Sequence, residues 1–126
     1  MTPSHAVFRQ LFSECLAITD NAFDYVPDAS AKYPFIYIGE ELTERLPNSE
    51  LIEDVEQTIH LWGKRTDRGA LDDLTLNIHD RLQRLDKAYN YNTELIFYNK
   101  QTIPDNTTGD PLLHIVVTVR FRCVKH

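Results

Sequence analysis

The 126-residue chain of 14.7 kDa is 42% hydrophobic and 25% charged, a globular balance rather than a disordered one. No apolar run approaches the ~18 residues of a membrane span, and the start, Met1 to His5, lacks the basic and apolar regions of a secretory signal. Thirteen basic against nineteen acidic residues give a net charge of −6, which disfavours broad nucleic-acid binding.

A chain of this length fits one domain, residues 1–126, with one modest core. Residues 3–19 read as a helix, because Phe8, Leu11, Phe12, Cys15 and Ile18 repeat at helical spacing and Thr2-Pro3 suits a helix start. Residues 20–32, with Pro27 and small polar side chains, read as a loop. The aromatic and β-branched run 33–39 reads as a strand opened by Pro34 and closed by Gly39. A long link, 40–52, carries the turn signal Pro47-Asn48-Ser49. Residues 53–62 alternate, with Val55, Gln57, Ile59 and Leu61 on one face and Glu56, Thr58, His60 and Trp62 on the other.

A second helix follows residues 63–68, with Leu71, Leu74, Ile78, Leu82 and Leu85 on its buried face and Asp67 as its cap. Its acidic first turn and basic last turn follow the helix dipole. Residues 95–98 form a third strand, 99–110 a second long link, and 112–124 the last strand. That last strand puts Leu113, Ile115, Val117, Val119 and Phe121 opposite His114, Val116, Thr118, Arg120 and Arg122. The expected fold is α+β, a two-layer domain with an antiparallel sheet of about four strands and two helices, in the order α-β-β-α-β-β.

A search for chemistry returns little. The five histidines (His5, His60, His79, His114, His126) and two cysteines (Cys15, Cys123) show no metal-ligand spacing, so no metal and no cofactor is expected. His60 and His114 can meet on one sheet face, the place where a small enzyme site would be built. Cys15 sits in an apolar stripe, where a thiol acts as a small hydrophobe, and too few cysteines exist for a disulfide scaffold, so reduced thiols in a cytoplasm-like setting are expected. Asp105 to Asp110 fails as a calcium loop, since the sixth position is Asp110 instead of glycine and the twelfth is Val116. Asn106-Thr107-Thr108 matches a glycosylation sequon by chance. Arg120, Arg122 and Lys125 lack aromatic partners for nucleic-acid stacking and read as a charged outer face. No catalytic residue emerges, and an enzyme is not expected.

The two links are longer than ordinary hairpin connections and carry apolar side chains: Leu42, Leu46, Leu51 and Ile52 in the first, Ile103 in the second. Such side chains either fold back on their own core or pack against another subunit, and on the second reading these five are the candidate subunit-interface residues.

Tyr33-Pro34-Phe35-Ile36-Tyr37-Ile38-Gly39-Glu40, followed by Gln57-Thr58-Ile59-His60-Leu61-Trp62 and by Asp105…Gly109-Asp110…Leu113-His114-Ile115-Val116-Val117, resembles the tail-completion proteins of long-tailed bacteriophages and prophages. These are also called tail terminator or tail-to-head joining proteins. The resemblance spans residues 4–123. It implies a non-enzymatic virion protein that forms a homohexameric ring, closes the tail tube formed by the major tail protein, and docks to the head connector. It further implies a place in the tail or neck of the virion, reached from the host cytoplasm, with DNA passing through the ring and no membrane contact. A head-side neck adaptor is the alternative within the same class. A ring needs two different complementary surfaces on each subunit, and an acidic lumen would let DNA slide.

Overall fold

The computed structural model describes residues 1–47, 51–107 and 109–125; Asn48 and Ser49 of the expected turn, Thr108 of the sequon and His126 lie outside them. Helix α1, Pro3–Ile18, begins where the Thr2 hydroxyl accepts the His5 N–H at 3.2 Å and Pro3 fills the first turn, where a missing donor costs nothing. Ala6, Val7, Leu11 and Cys15 form its buried stripe. Helix α2, Arg68–Gln83, buries Leu71, Thr75, Ile78 and Leu82; Leu74, and Leu85 beyond the end of the helix, pack against the core at its margin. Asp67 precedes α2 but does not cap it through its side chain; its carboxylate accepts the Lys64 N–H at 2.7 Å, closing the 3₁₀ turn Arg65–Asp67. The helices are tied by Arg81, whose Nη1 donates to Glu14 Oε2 at 2.9 Å.

The strands are β1 (Ala22–Phe23), β2 (Phe35–Arg45), β3 (Ile52–Lys64), β4 (Lys87–Ala88), β5 (Tyr91–Asp105) and β6 (Leu112–Lys125). They form one sheet in the order β1-β2-β3-β6-β5-β4, curled into a half-barrel. Its β1–β2 pair is parallel and the other pairs are antiparallel. Register pairs Val55 with Phe121, Ile59 with Val117 and Leu61 with Ile115, and all six are buried against the helices. The other face of the sheet carries His60, Trp62, His114, Arg120 and Arg122, and among the described residues both helices pack on the opposite face.

The four-stranded antiparallel expectation is corrected in three ways. The sheet has six strands, so that the chain order is α-β-β-β-α-β-β-β instead of α-β-β-α-β-β; it is mixed; and the two long links are largely strand. Strands β1 and β4 are two residues each, too short to show a period of two. Beta2 runs on through residues 40–45, and β5 through residues 99–105. Those stretches are mostly exposed, so neither shows the apolar alternation that marks a half-buried strand.

Ile78 is 1% exposed on the buried face of α2, within the core cluster. Ile78→Ala is expected to destabilise the protein by about 2–5 kcal/mol. A urea midpoint equal to that of the wild type would mean that α2 does not seal the core.

Candidate functional site

The uncovered face of the sheet divides into an aromatic and imidazole end and an ion-paired end. At the first, β2 contributes Tyr37, β3 contributes His60 and Trp62, and β6 contributes His114. Cross-strand register places Tyr37 opposite His60 and Trp62 opposite His114. The rings stack accordingly: Tyr37 on His60 at 4.6 Å, His60 beside His114 at 5.0 Å, and Trp62 on His114 at 4.0 Å with only 9° between their planes. His60 Nδ1 lies 2.8 Å from His114 Nε2, and His60 Nε2 lies 2.7 Å from Glu40 Oε1.

Glu40 reaches His60 because the register of β2 slips between Ile38 and Glu41, a bulge that re-aims its side chain. Two groups hold that bulge. Gln57, fully buried, donates from Nε2 to the carbonyls of Gly39 and Glu40, each at 2.9 Å. Gly39 leaves room for the imidazole, since a Cβ there would stand 2.7 Å from His60 Cδ2. Gly39→Ala is therefore expected to push His60 off Glu40 and His114, at a cost of about 1–3 kcal/mol as an overpacked site. An unchanged melting temperature and unchanged His60 chemical shifts would refute that role.

Electrostatics follow from these contacts. The hydrogen bond from His60 holds the Glu40 carboxyl below the usual carboxylate range. Burial, then the neighbouring His60, pushes His114 below the ordinary imidazole value, with Asp105 and Glu40 pulling the other way. Burial raises the Tyr37 phenol. Beside the stack, Tyr33, Phe35, Tyr37, Trp62, Leu112 and Asp105 line part of a cleft of about 320 Å³.

At the opposite end, Asp54 is buried and accepts two bonds from Arg122, Nε at 2.9 Å and Nη2 at 3.1 Å. Arg120 lies 3.3 Å from Glu56 and 3.6 Å from Glu44, and on the other face of the same end Arg45 pairs with Glu53 at 3.0 Å. Arg120 and Arg122 thus spend their charge on this chain's own carboxylates, which leaves little of a basic patch for nucleic acid.

The pair His60–His114 singled out in the sequence does come together. What sequence reasoning missed was Glu40 and Gly39, because a bulge leaves no periodic trace. The arrangement can relay and share a proton. Both thiols lie in the core on the opposite side of the sheet: burial pushes Cys15 up to about 12, and burial with Asp54 and Glu53 does the same for Cys123. Among the described residues, no group of three or more His, Cys, Asp or Glu is placed to hold a metal ion.

The interface candidates fall on opposite corners of the sheet. Leu42 on β2, Leu51, and the less exposed Leu46 and Ile52 lie at the end where Glu53 aligns with Cys123 and Thr93. Ile103 lies on β5 at the end where Leu112 aligns with Lys64 and Asp105.

No protein-family model matches the sequence, and no curated protein is similar to it at a significant level. Among solved structures, the fold is similar to a chain in the virion of a native gene transfer agent particle, with a TM-score of 0.67 and 11% identity over 93% of this chain and 91% of that one.

Proposed function

We propose that the protein is a structural component of a phage-like virion, a ring-forming subunit that closes the tail tube and joins it to the head connector without catalysing a reaction. The observation that carries this reading is a fold shared over nearly its full length with a virion chain. The resemblance of the Tyr33–Glu40 and Gln57–Trp62 segments to tail-completion proteins supplies the finer assignment.

The surfaces of the sheet suit a closed ring. Strand β1 covers only Ile36 and Tyr37 of β2, and β4 only Tyr91 and Asn92 of β5. The outer edges of residues 39–45 and 93–105 therefore have no strand beside them among the described residues. They are the two opposite edges of one sheet, with Leu42 and Ile103 at opposite corners, and opposite edges are what a heterologous, head-to-tail contact needs. Within the sheet β2 and β5 run in opposite directions, so β5 of one copy beside β2 of the next continues the antiparallel alternation. In this reading Leu42, Leu46, Leu51 and Ile52 of one copy pack near Ile103 of its neighbour, with six copies closing the ring. Exposed Ile96 and Phe97 add apolar area to the β5 side. The major tail tube protein and the neck proteins of the head connector are the partners above and below, DNA passes through the lumen, and the net charge of −6 keeps it from sticking.

The test is mass measurement by light scattering, alone and with purified tail tubes, followed by electron microscopy. A ring that caps tubes supports the reading. Binding to head connectors but not to tubes would move the protein to the neck, and a monomer that binds neither would overturn the proposal.

A further inference from the structure

We propose that Glu40, His60 and His114 form a proton-sensitive clasp across the uncovered face, closed while the two imidazoles together carry two or three N–H protons and split between His60 and His114 once they carry four.

The proton count follows from the contacts. Ionised Glu40 accepts, so His60 carries its proton on Nε2 and presents a lone pair at Nδ1. That lone pair accepts the His114 Nε2–H at 2.8 Å, which leaves His114 Nδ1 as the open basic position. A third proton lands there and can be shared along the chain, with its charge balanced by Glu40 and nothing broken. A fourth proton sets two N–H donors against each other at 2.8 Å, and one ring must move.

Packing decides which one. His60 is 7% exposed, covered by Tyr37, seated against Gly39 and held by Glu40. His114 is only half-buried, lies flat on Trp62 and faces Ile103 of β5. His114 therefore swings away, opening the stack toward the cleft that Trp62, Leu112 and Asp105 line. The titratable and charged groups around the pair are Glu40 and Tyr37 on β2, Asp105 on β5, and Tyr33 and Asp28 in the loop beside the cleft. Asp105 favours a charge on His114, while burial and His60 oppose it.

The sign of the stability effect is fixed by the same contacts. Burial and the neighbouring His60 push His114 below the ordinary imidazole value in the fold, so its contribution is full above 6.5 and is lost as pH falls below it. Glu40 adds a second loss at more acid pH, as its depressed carboxyl takes up a proton below the usual 4.5.

Trp62 is the only tryptophan, so its emission reports on the ring stacked against it. The experiment follows Trp62 fluorescence and the histidine Cε1–H NMR signals of the full chain from pH 8 to 4, with exposed His5 as internal control. The expected result is two coupled steps for His60 and His114, separated by at least about one pH unit, with Trp62 emission changing at both. In His114→Gln, which removes the opposing ring, Trp62 emission should no longer change across the range. Both rings following His5 with a single midpoint, or Trp62 emission flat across the range, would overturn the clasp. If His114→Gln does not fold, the wild-type titration alone decides.

Discussion

Phe121→Ala is expected to cost about 3–5 kcal/mol, a large part of the ~5–15 kcal/mol that holds an ordinary domain together. Phe121 is the largest fully buried side chain, 0% exposed, on central strand β6. Register sets it between Val55 of β3 and Leu95 of β5, so it bridges three strands on the helix-covered face. Central strands have no free edge through which the backbone could relax, and the cavity left by the ring would stay largely open. Thermal and urea unfolding should both report the loss, and an unfolded variant at 25 °C falls within the expectation. A variant within 1 kcal/mol of wild type on the scale of that estimate (about one third of the low end) would show that the core collapses around the site. Phe121→Leu, which keeps most of the volume, should recover the larger part of the stability.

The parts of the fold legible in the sequence are those with one wet and one dry face. Helix α1 announces itself through Phe8, Leu11, Phe12 and Cys15 and ends within one residue of expectation, at Ile18. The faces of β3 and β6 were also legible, because Val55, Gln57, Ile59 and Leu61 alternate with polar residues, as do Leu113 to Phe121. The edges were not. Residues 40–45 read Glu-Glu-Leu-Thr-Glu-Arg and belong to a strand wetted on both faces, so a period of two had nothing to sort. The pairing of β1 with β2 is a tertiary event: Asn21 donates from its side chain to the Pro34 carbonyl at 2.8 Å while its own carbonyl accepts the Ile36 N–H at 3.0 Å. Two residues held in this way carry no pattern. At the site, alternation alone could bring His60 and His114 to one face, but Glu40 enters only through the bulge after Ile38, which depends on Gln57 and Gly39.

Leu42→Ser and Ile103→Ser should each break the proposed ring while leaving the subunit folded. Leu42 is 49% exposed on β2 and Ile103 is 37% exposed on β5, so neither supports the core of its own chain. Burying a side chain of that size between copies is worth about 1.5–3 kcal/mol, so each substitution should weaken one contact roughly ten- to a hundredfold. Circular dichroism and unfolding midpoints should match wild type, while light scattering should report monomer at concentrations where wild type is a ring. The head-to-tail geometry makes a sharper demand. Leu42→Ser spoils the β2 corner and keeps the β5 corner; Ile103→Ser does the reverse. An equal mixture therefore has one intact contact available, between the good β2 corner of one variant and the good β5 corner of the other, and should yield heterodimers that cannot grow. A two-fold symmetric contact of β2 on β2 would instead leave Ile103→Ser fully assembled, and the mixture would add nothing. If both variants still form rings that cap tails at uniform length, these corners are not the interface and the assignment of Leu42, Leu46, Leu51, Ile52 and Ile103 fails.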